Sequence, residues 1–361
     1  VNKQEIIEIL AGVRDPRTGR SIVDLHMVAD IQTDGHNCLV TLTDTGLDGS
    51  QKSNLNFACI AAIQDVYPQA NINVHVVQDQ TTGSEATVLP QVKNVIAVAS
   101  GKGGVGKSTV SVNLALGLKK LGARVGLMDA DLYGPSIPTM LGLQGVKPAL
   151  QDIYGQPRMI PIEAYGISTI SIGNIIEPEQ AVVLRGPRLS GIIKQFISEV
   201  LWPELDFLII DLPPGTGDIQ LTLVQSLPLT GVVLVTTPQE VALVDAVKAM
   251  NMFLMPNINV PVLGVVENMS WFTPVELPDN KYYIFGSGGG AKLAKMANTV
   301  LLGQVPIEMS VRESGDEGKP AVLTDQGVAP ETFVSIAQKT AEQIAWRNEM
   351  IEPTQIVKII N

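Results

Sequence analysis

The sequence predicts an α/β protein with a mostly parallel, doubly wound sheet, preceded by a small α+β domain. Three observations carry this. From Lys93 onward, short wholly apolar runs alternate with segments long enough for helices. The first of those runs passes through a glycine-rich loop straight into a helical segment. A polar stretch, QDQTTGSEATVLPQ at 78–91, separates all of this from a first unit of about 80 residues. Apolar runs without polar alternation are strands covered on both faces, which is how parallel sheets flanked by helices read.

In chain order, KQEIIEIL at 3–10 spaces Ile6, Ile7, Ile9 and Leu10 as a short helix, and the turn signals DPRTG follow it. Strand-like runs at 23–31 and 39–43, a helix at 54–66 and a last strand at 72–77 complete the small domain, 1–80. Acidic residues outnumber basic ones there, which fits a domain that docks protein partners rather than anions. Residues 81–92 read as a linker. The large domain, 93–350, takes strands at 95–99, 124–128, 167–172, 207–210, 232–235, 262–266 and 300–305, and 351–361 form a C-terminal tail.

The net charge of −11 and pI near 4.8 repel phosphate backbones and anionic lipid, so neither a nucleic-acid nor a membrane partner is expected. The last segment, from Glu331, is also net acidic. No apolar run reaches the length of a membrane span, and VNKQEIIEIL lacks the basic-then-apolar form of a secretion signal; a cytoplasmic location is expected. The two cysteines, Cys38 and Cys59, exclude a disulfide framework and any C-x-x-C motif. Cys38 falls in an expected strand and Cys59 on an expected helix, the usual places for buried structural thiols.

The loop after the 95–99 run reads GKGGVGKST. Gly101, Gly106, Lys107 and Ser108 fill the G-x-x-x-x-G-K-[ST] pattern in the required strand-loop-helix context, which predicts a P-loop NTPase. Gly101, Gly103, Gly104 and Gly106, with Val105, let successive N–H groups turn inward on a phosphate, and the helix that begins near Lys107, Ser108 and Thr109 adds its positive end. Lys107 would neutralise the β- and γ-phosphates, and the Ser108 hydroxyl would ligate Mg²⁺. Lys102 is a surplus lysine that could reach a phosphate in its own subunit or a neighbour's.

Ligands on such sheets lie at the carboxyl ends of strands. There the sequence places Asp129 and Asp131 in DADLYGPS, a pair able to hold a metal-bound water and orient an attacking one, on a strand expected beside that of the phosphate loop. Asp211 opens DLPPGTGD as a metal-side carboxylate. Asp131 and Asp218 are also candidate helix caps, as are the polar groups of TTPQE at 236–240. Asn268, after the 262–266 run, has an amide able to pair with an adenine edge. Arg185 and Arg312 stand in turn-rich loops, where solvated charge is the plain reading.

With these residues in view, the sequence resembles the Mrp/ApbC family of MinD-like P-loop ATPases, known as iron–sulfur cluster carriers. The match covers nearly the whole chain: GKGGVGKST, DADLYGPSIP, DLPPGTGD, TTPQEVAL at 236, ENMSWF at 267, IFGSGGG at 284 and RESGDEGKP at 312 are all similar to family stretches. The resemblance implies ATP as nucleotide, a homodimer in which Lys102 reaches the partner's nucleotide, Asp131 orienting the hydrolytic water and Asn268 on adenine. It also implies apoprotein clients or cluster-assembly proteins as partners. The first 80 residues look like the small MIP18-type domain that often precedes such ATPases.

One departure stands out. Family members that carry clusters usually have a C-x-x-C pair after the ENMS stretch; here 273–283 reads TPVELPDNKYY, and the small-domain loop TDTGLDGSQK also lacks cysteine. No thiolate cluster site is identifiable, and Glu276 and Asp279 are hard ligands that would not replace one. Besides cluster delivery, a positioning ATPase of the MinD/ParA kind and a cluster-free, ATP-driven adaptor remain as functions to weigh.

Overall fold

The computed structural model describes residues 2–34, 37–44, 47–78, 89–132, 134–175, 196–325 and 327–351. They form two compact units: Val1–Pro90 with Leu150–Ile160 and Ser198–Leu201, and Gln91–Ala149 with Pro161–Ile197 and Trp202–Asn361.

In the first unit, α1 (Lys3–Leu10) starts where the Asn2 side chain accepts the Gln4 N–H, and it buries Ile6 and Leu10, one turn apart. Strands β1 (Val28–Asp34), β2 (Asn37–Asp44) and β3 (Asn71–Gln78) form a sheet in that order, the first pair antiparallel and the second parallel. Helix α2 (Gly49–Val66) makes the crossover and buries Leu55, Cys59 and Ile63 at four-residue spacing. It begins five residues before the expected 54, because Asp48 and Gln51 close a capping box. Strand β1 begins later than the expected 23, since residues 22–26 form turns, with His26 at φ 53°.

In the second unit, β4 (Val92–Ala99) leads through the phosphate loop into α3 (Lys107–Lys120), then β5 (Val125–Asp129) and the short α4 (Ile137–Met140). Every residue of helix α3 from Val110 to Leu118 is buried. Next come β6 (Ala149–Ile153) and β7 (Gln156–Ile160), a two-stranded sheet that no sequence signal announced. Its turn, Tyr154-Gly155, has both φ angles positive, at 54° and 77°. This hairpin belongs to the first unit. There the Tyr154 hydroxyl donates to the Arg14 carbonyl at 2.6 Å and accepts the Arg14 N–H at 2.9 Å.

The chain continues through β8 (Ile162–Ala164), β9 (Ile167–Ser171), β10 (Leu205–Asp211), α5 (Asp218–Ser226), β11 (Gly231–Thr236), α6 (Glu240–Leu254), β12 (Val262–Glu267), α7 (Gly289–Met296), β13 (Leu301–Gln304), α8 (Met309–Asp316) and α9 (Ala329–Met350). The eight-stranded sheet has the order β13-β12-β11-β4-β10-β5-β9-β8. All neighbours are parallel except β8 with β9. Strands β5, β9 and β11 are buried at every position, as continuous apolar runs require when both faces are covered.

One expectation is corrected. The strand carrying Asp129 is not beside the phosphate-loop strand; β10 lies between them, with Asp211 in register with both Val98 and Asp129. The crossover through α3 leaves one strand position open between β4 and β5, and β10 fills it. This strand order brings Asp211 to the centre of the site.

Candidate nucleotide site

The site is assembled from the carboxyl ends of β4, β10, β5 and β12. Two glycines fix the loop's path. At Gly101 an added Cβ would lie 2.1 Å from the Asp245 carbonyl carbon, so only glycine lets the loop start this close to α6. Gly106 takes the left-handed conformation, φ 81°, just before α3, and an added Cβ would lie 2.1 Å from the Asn268 amide nitrogen. Gly103 and Gly104 are exposed, Val105 is buried beneath them, and Ser108 and Thr109 open the helix half-buried. Lys102 is half-buried, and its carbonyl accepts the Ser100 hydroxyl.

Lys107 turns inward. Its ammonium lies 2.7 Å from Asp211 Oδ2 and 3.7 Å from Asp131 Oδ2, and it is only 6% exposed. The Ser108 hydroxyl donates to the same Asp211 oxygen at 2.6 Å, while the Ser111 hydroxyl, one turn on, lies 2.5 Å from Asp211 Oδ1. Asp129 accepts the Ser171 hydroxyl on Oδ2 and the Asp131 N–H on Oδ1. Burial and the Asp211 charge push the Asp129 carboxyl up to about 7, against the weaker opposing pull of Ser171, Asp131 and Lys107. Two buried carboxylates in register, with a serine hydroxyl between one of them and the loop, form a hard-oxygen donor set. It fits Mg²⁺, which takes one or two carboxylates and completes its shell with phosphate and water.

Asn268 stands on the other side of the loop. Its amide Nδ2 donates to the Val105 carbonyl at 2.9 Å, which leaves Oδ1 as a hydrogen-bond acceptor. Beside it opens a cavity of about 650 Å³, whose lining includes Gly106, Thr109, Asn268, Ile307, Val311 and Gly315. Its volume and apolar lining suit a nucleoside.

The structure therefore brings Lys107, Ser108, Asp129, Asp131 and Asp211 together and puts Asn268 at the mouth of a base-sized cavity. Asp131 does not cap α4, whose N-cap residue is Ser136, and α5 opens at Asp218 with Gly217 in the cap position. Arg312 lines the cavity and pairs with Glu313 and Asp316 on its own helix. Arg185 lies outside the described residues. The sequence reading missed Ser111 and Ser171, which carry no motif. It also missed the role of Glu267, a fully buried carboxylate that accepts the Gly290 N–H and the Gln304 amide, both at 2.6 Å, and so pins the strand end that presents Asn268.

The thiols are elsewhere. Cys38 and Cys59 both lie in the core of the first unit, at 1% and 0% exposure. Burial raises both, Cys59 to about 12, so neither offers a thiolate near neutral pH. In the 273–283 segment Val275, Leu277, Tyr282 and Tyr283 are exposed, Phe272 bridges to Tyr282, and Lys281 lies 4.3 Å over the Trp271 ring. Among the described residues no three or more His, Cys, Asp or Glu side chains gather as a metal site. A cluster bound through this chain's own cysteines does not fit.

A glycine-rich loop at the end of a central parallel strand, a buried lysine at the start of the following helix and an aspartate at the end of the neighbouring strand define a P-loop nucleotide-binding protein. The chain belongs to the NUBPL iron-transfer P-loop NTPase family, whose sequence pattern matches residues 91–344. Residues 3–76 match a second family, described as iron-sulfur cluster assembly protein. An iron-sulfur cluster carrier protein of Synechocystis sp. is 43% identical over 344 residues, covering 94% of this chain and 97% of the relative. The protein of that name from Escherichia coli is 49% identical over 264 residues, 72% of this chain and 69% of the relative.

Among solved structures, a nucleotide-binding protein from Archaeoglobus fulgidus, in complex with ADP, is similar at 37% identity with a TM-score of 0.56. It covers 64% of this chain and 89% of its own. The cell division ATPase MinD of Pyrococcus furiosus shares the fold at 22% identity and a TM-score of 0.51, over 69% of this chain and 99% of its own.

Proposed function

We propose that this protein is a slow, dimeric ATPase that serves the transfer of iron–sulfur clusters to apoproteins in the cytoplasm. The observation that carries the ATPase reading is the convergence of Lys107, Ser108, Asp131 and Asp211 at the end of β10. The loop N–H groups from Gly101 to Gly106 and the Lys107 ammonium bind the β- and γ-phosphates. Ser108, with Asp211 and Asp129 behind it, would hold Mg²⁺, which supplies neutralisation of phosphate charge. Asp131 orients the attacking water. Asn268 Oδ1 accepts from the adenine amino group, where guanine would present another acceptor. Lys102, at the outer turn of the loop, reaches the nucleotide of a second copy. Among the described residues no helix is long and apolar enough to cross a membrane.

The cluster role rests on the family and on relatives named as carriers. Because both thiols are buried, a cluster handled by this protein is held by thiolates of the client or assembly protein it docks. That makes the protein an ATP-driven adaptor within cluster delivery, and the acidic first unit is the docking element. A positioning ATPase on membrane or DNA fits the net charge of −11 poorly.

The test has two arms. Purified protein is expected to bind and slowly hydrolyse ATP·Mg²⁺, with Lys107→Ala abolishing binding, and a Lys107→Ala protein unable to replace the wild type in cells is expected to lower the activity of iron–sulfur enzymes. Unchanged activities of those enzymes would remove the cluster role and leave the ATPase. Anaerobic reconstitution that gave stoichiometric iron and sulfide, lost in Cys38→Ser, would overturn the adaptor form.

A further inference from the structure

We propose that Ser111 is a positioning residue for Asp211, fixing the metal-side carboxylate from behind while its other neighbours are engaged by nucleotide. The inference rests on the reading of Asp211 and Ser108 as the groups that serve a divalent ion.

Asp211 is fully buried and has three close polar partners from α3. Lys107 and Ser108 both address Oδ2, at 2.7 and 2.6 Å, and Ser111 alone addresses Oδ1, at 2.5 Å. The first two are the groups that the phosphates and the metal ion would recruit. Ser111 is different: it sits one helical turn deeper, at 0% exposure, beyond the reach of any ligand in the loop. Once Lys107 turns to phosphate, the Ser111 hydroxyl is the α3 partner that stays on the carboxylate.

The hydroxyl has one proton and two acceptors in range, the Lys107 carbonyl at 3.1 Å and Asp211 Oδ1 at 2.5 Å. A charged acceptor at the shorter distance takes it. Held by that bond, the carboxylate plane cannot rotate about its last torsion, so Oδ2 stays aimed at Ser108. Alanine at 111 would leave Oδ1 without this donor in a dry site. The carboxylate would then turn more freely, which weakens its hold on a cation. The spacing explains why one helix does all of this: 107, 108 and 111 share the face of α3 that meets β10.

The experiment titrates Mn²⁺ into full-length protein with ADP, reading free Mn²⁺ by electron paramagnetic resonance, for wild type, Ser111→Ala and Ser111→Thr. ADP affinity in EDTA and the melting temperature are measured alongside. Ser111→Ala is expected to raise the Mn²⁺ dissociation constant about tenfold or more, with metal-free ADP affinity within about twofold of wild type, and Ser111→Thr, which keeps the hydroxyl, to recover most of the loss. A purely structural role would lower the melting temperature and leave the Mn²⁺ affinity of the folded protein unchanged. Ser111→Ala binding Mn²⁺ as wild type does, or Ser111→Thr failing as badly as Ser111→Ala, overturns the proposal. Wild type that takes up no Mn²⁺ with ADP overturns both this proposal and the reading beneath it.

Discussion

Replacing Lys107 by Met keeps most of the side chain's volume and removes its charge, with a cost beyond lost nucleotide binding. The Lys107 ammonium is 6% exposed and lies 2.7 Å from the fully buried Asp211. It also sits 3.7 Å from Asp131. Without it, Asp211 and Asp129 face each other across one register position with no cation beside them. Removing one partner of a buried ion pair costs about 3–5 kcal/mol. For a domain of this size each kcal/mol moves the melting point by about 2–4 °C, so Lys107→Met should melt roughly 10 °C below wild type.

The second step is diagnostic. In Lys107→Met/Asp211→Asn the charge left without a partner is gone, and most of the lost stability should return although the double variant still binds no nucleotide. Thermal melts in EDTA at neutral pH, paired with calorimetric titration of ATP·Mg²⁺, separate the two effects. A Lys107→Met protein that melts within about 2 °C of wild type, or a double variant no more stable than the single, would refute the buried-pair reasoning.

Two further outcomes follow from the same geometry. The Asp129 carboxyl is raised to about 7 in the folded protein, above about 3.9 when unfolded, so the folded state binds the extra proton between these values. Stability of the nucleotide-free protein should therefore fall as pH rises towards 7, and Asp129→Asn should flatten that slope; equal slopes between about pH 5.5 and 7.5 would show that Asp129 does not carry it. Asn268→Ala removes both the bond to the Val105 carbonyl and the acceptor at the cavity mouth. ATP affinity should drop about tenfold with most of the preference over GTP, and a competition assay giving the wild-type preference would mean that this amide does not read the base.

Local chemistry made much of the site readable in advance. Gly106, Lys107 and Ser108 announce a phosphate loop because only a loop free of Cβ clashes, opening into a helix, can turn its N–H groups onto an anion. Asp211 and Asn268 could be picked out because each ends an apolar run, and in a parallel sheet such ends share one edge. Ser111 and Ser171 could not be picked out. A serine inside a helix or at the end of a strand looks like any other, and its meaning arises only when another strand brings a carboxylate to it. The β6–β7 hairpin escaped for a related reason: its strands are short and half-exposed, and what holds Tyr154 is a backbone partner 140 residues away.

The sequence by itself determined the strand-loop-helix that marks a phosphate loop and the absence of a C-x-x-C pair, because each depends on neighbours along the chain or on plain composition. Only the tertiary structure decided that β10 lies between β4 and β5, that Asp211 is therefore the hub joining Lys107, Ser108 and Ser111, and that both thiols are sealed in a core. Strand order and burial are set by how helices pack across a sheet, and that packing is a property of the whole chain rather than of any stretch of it.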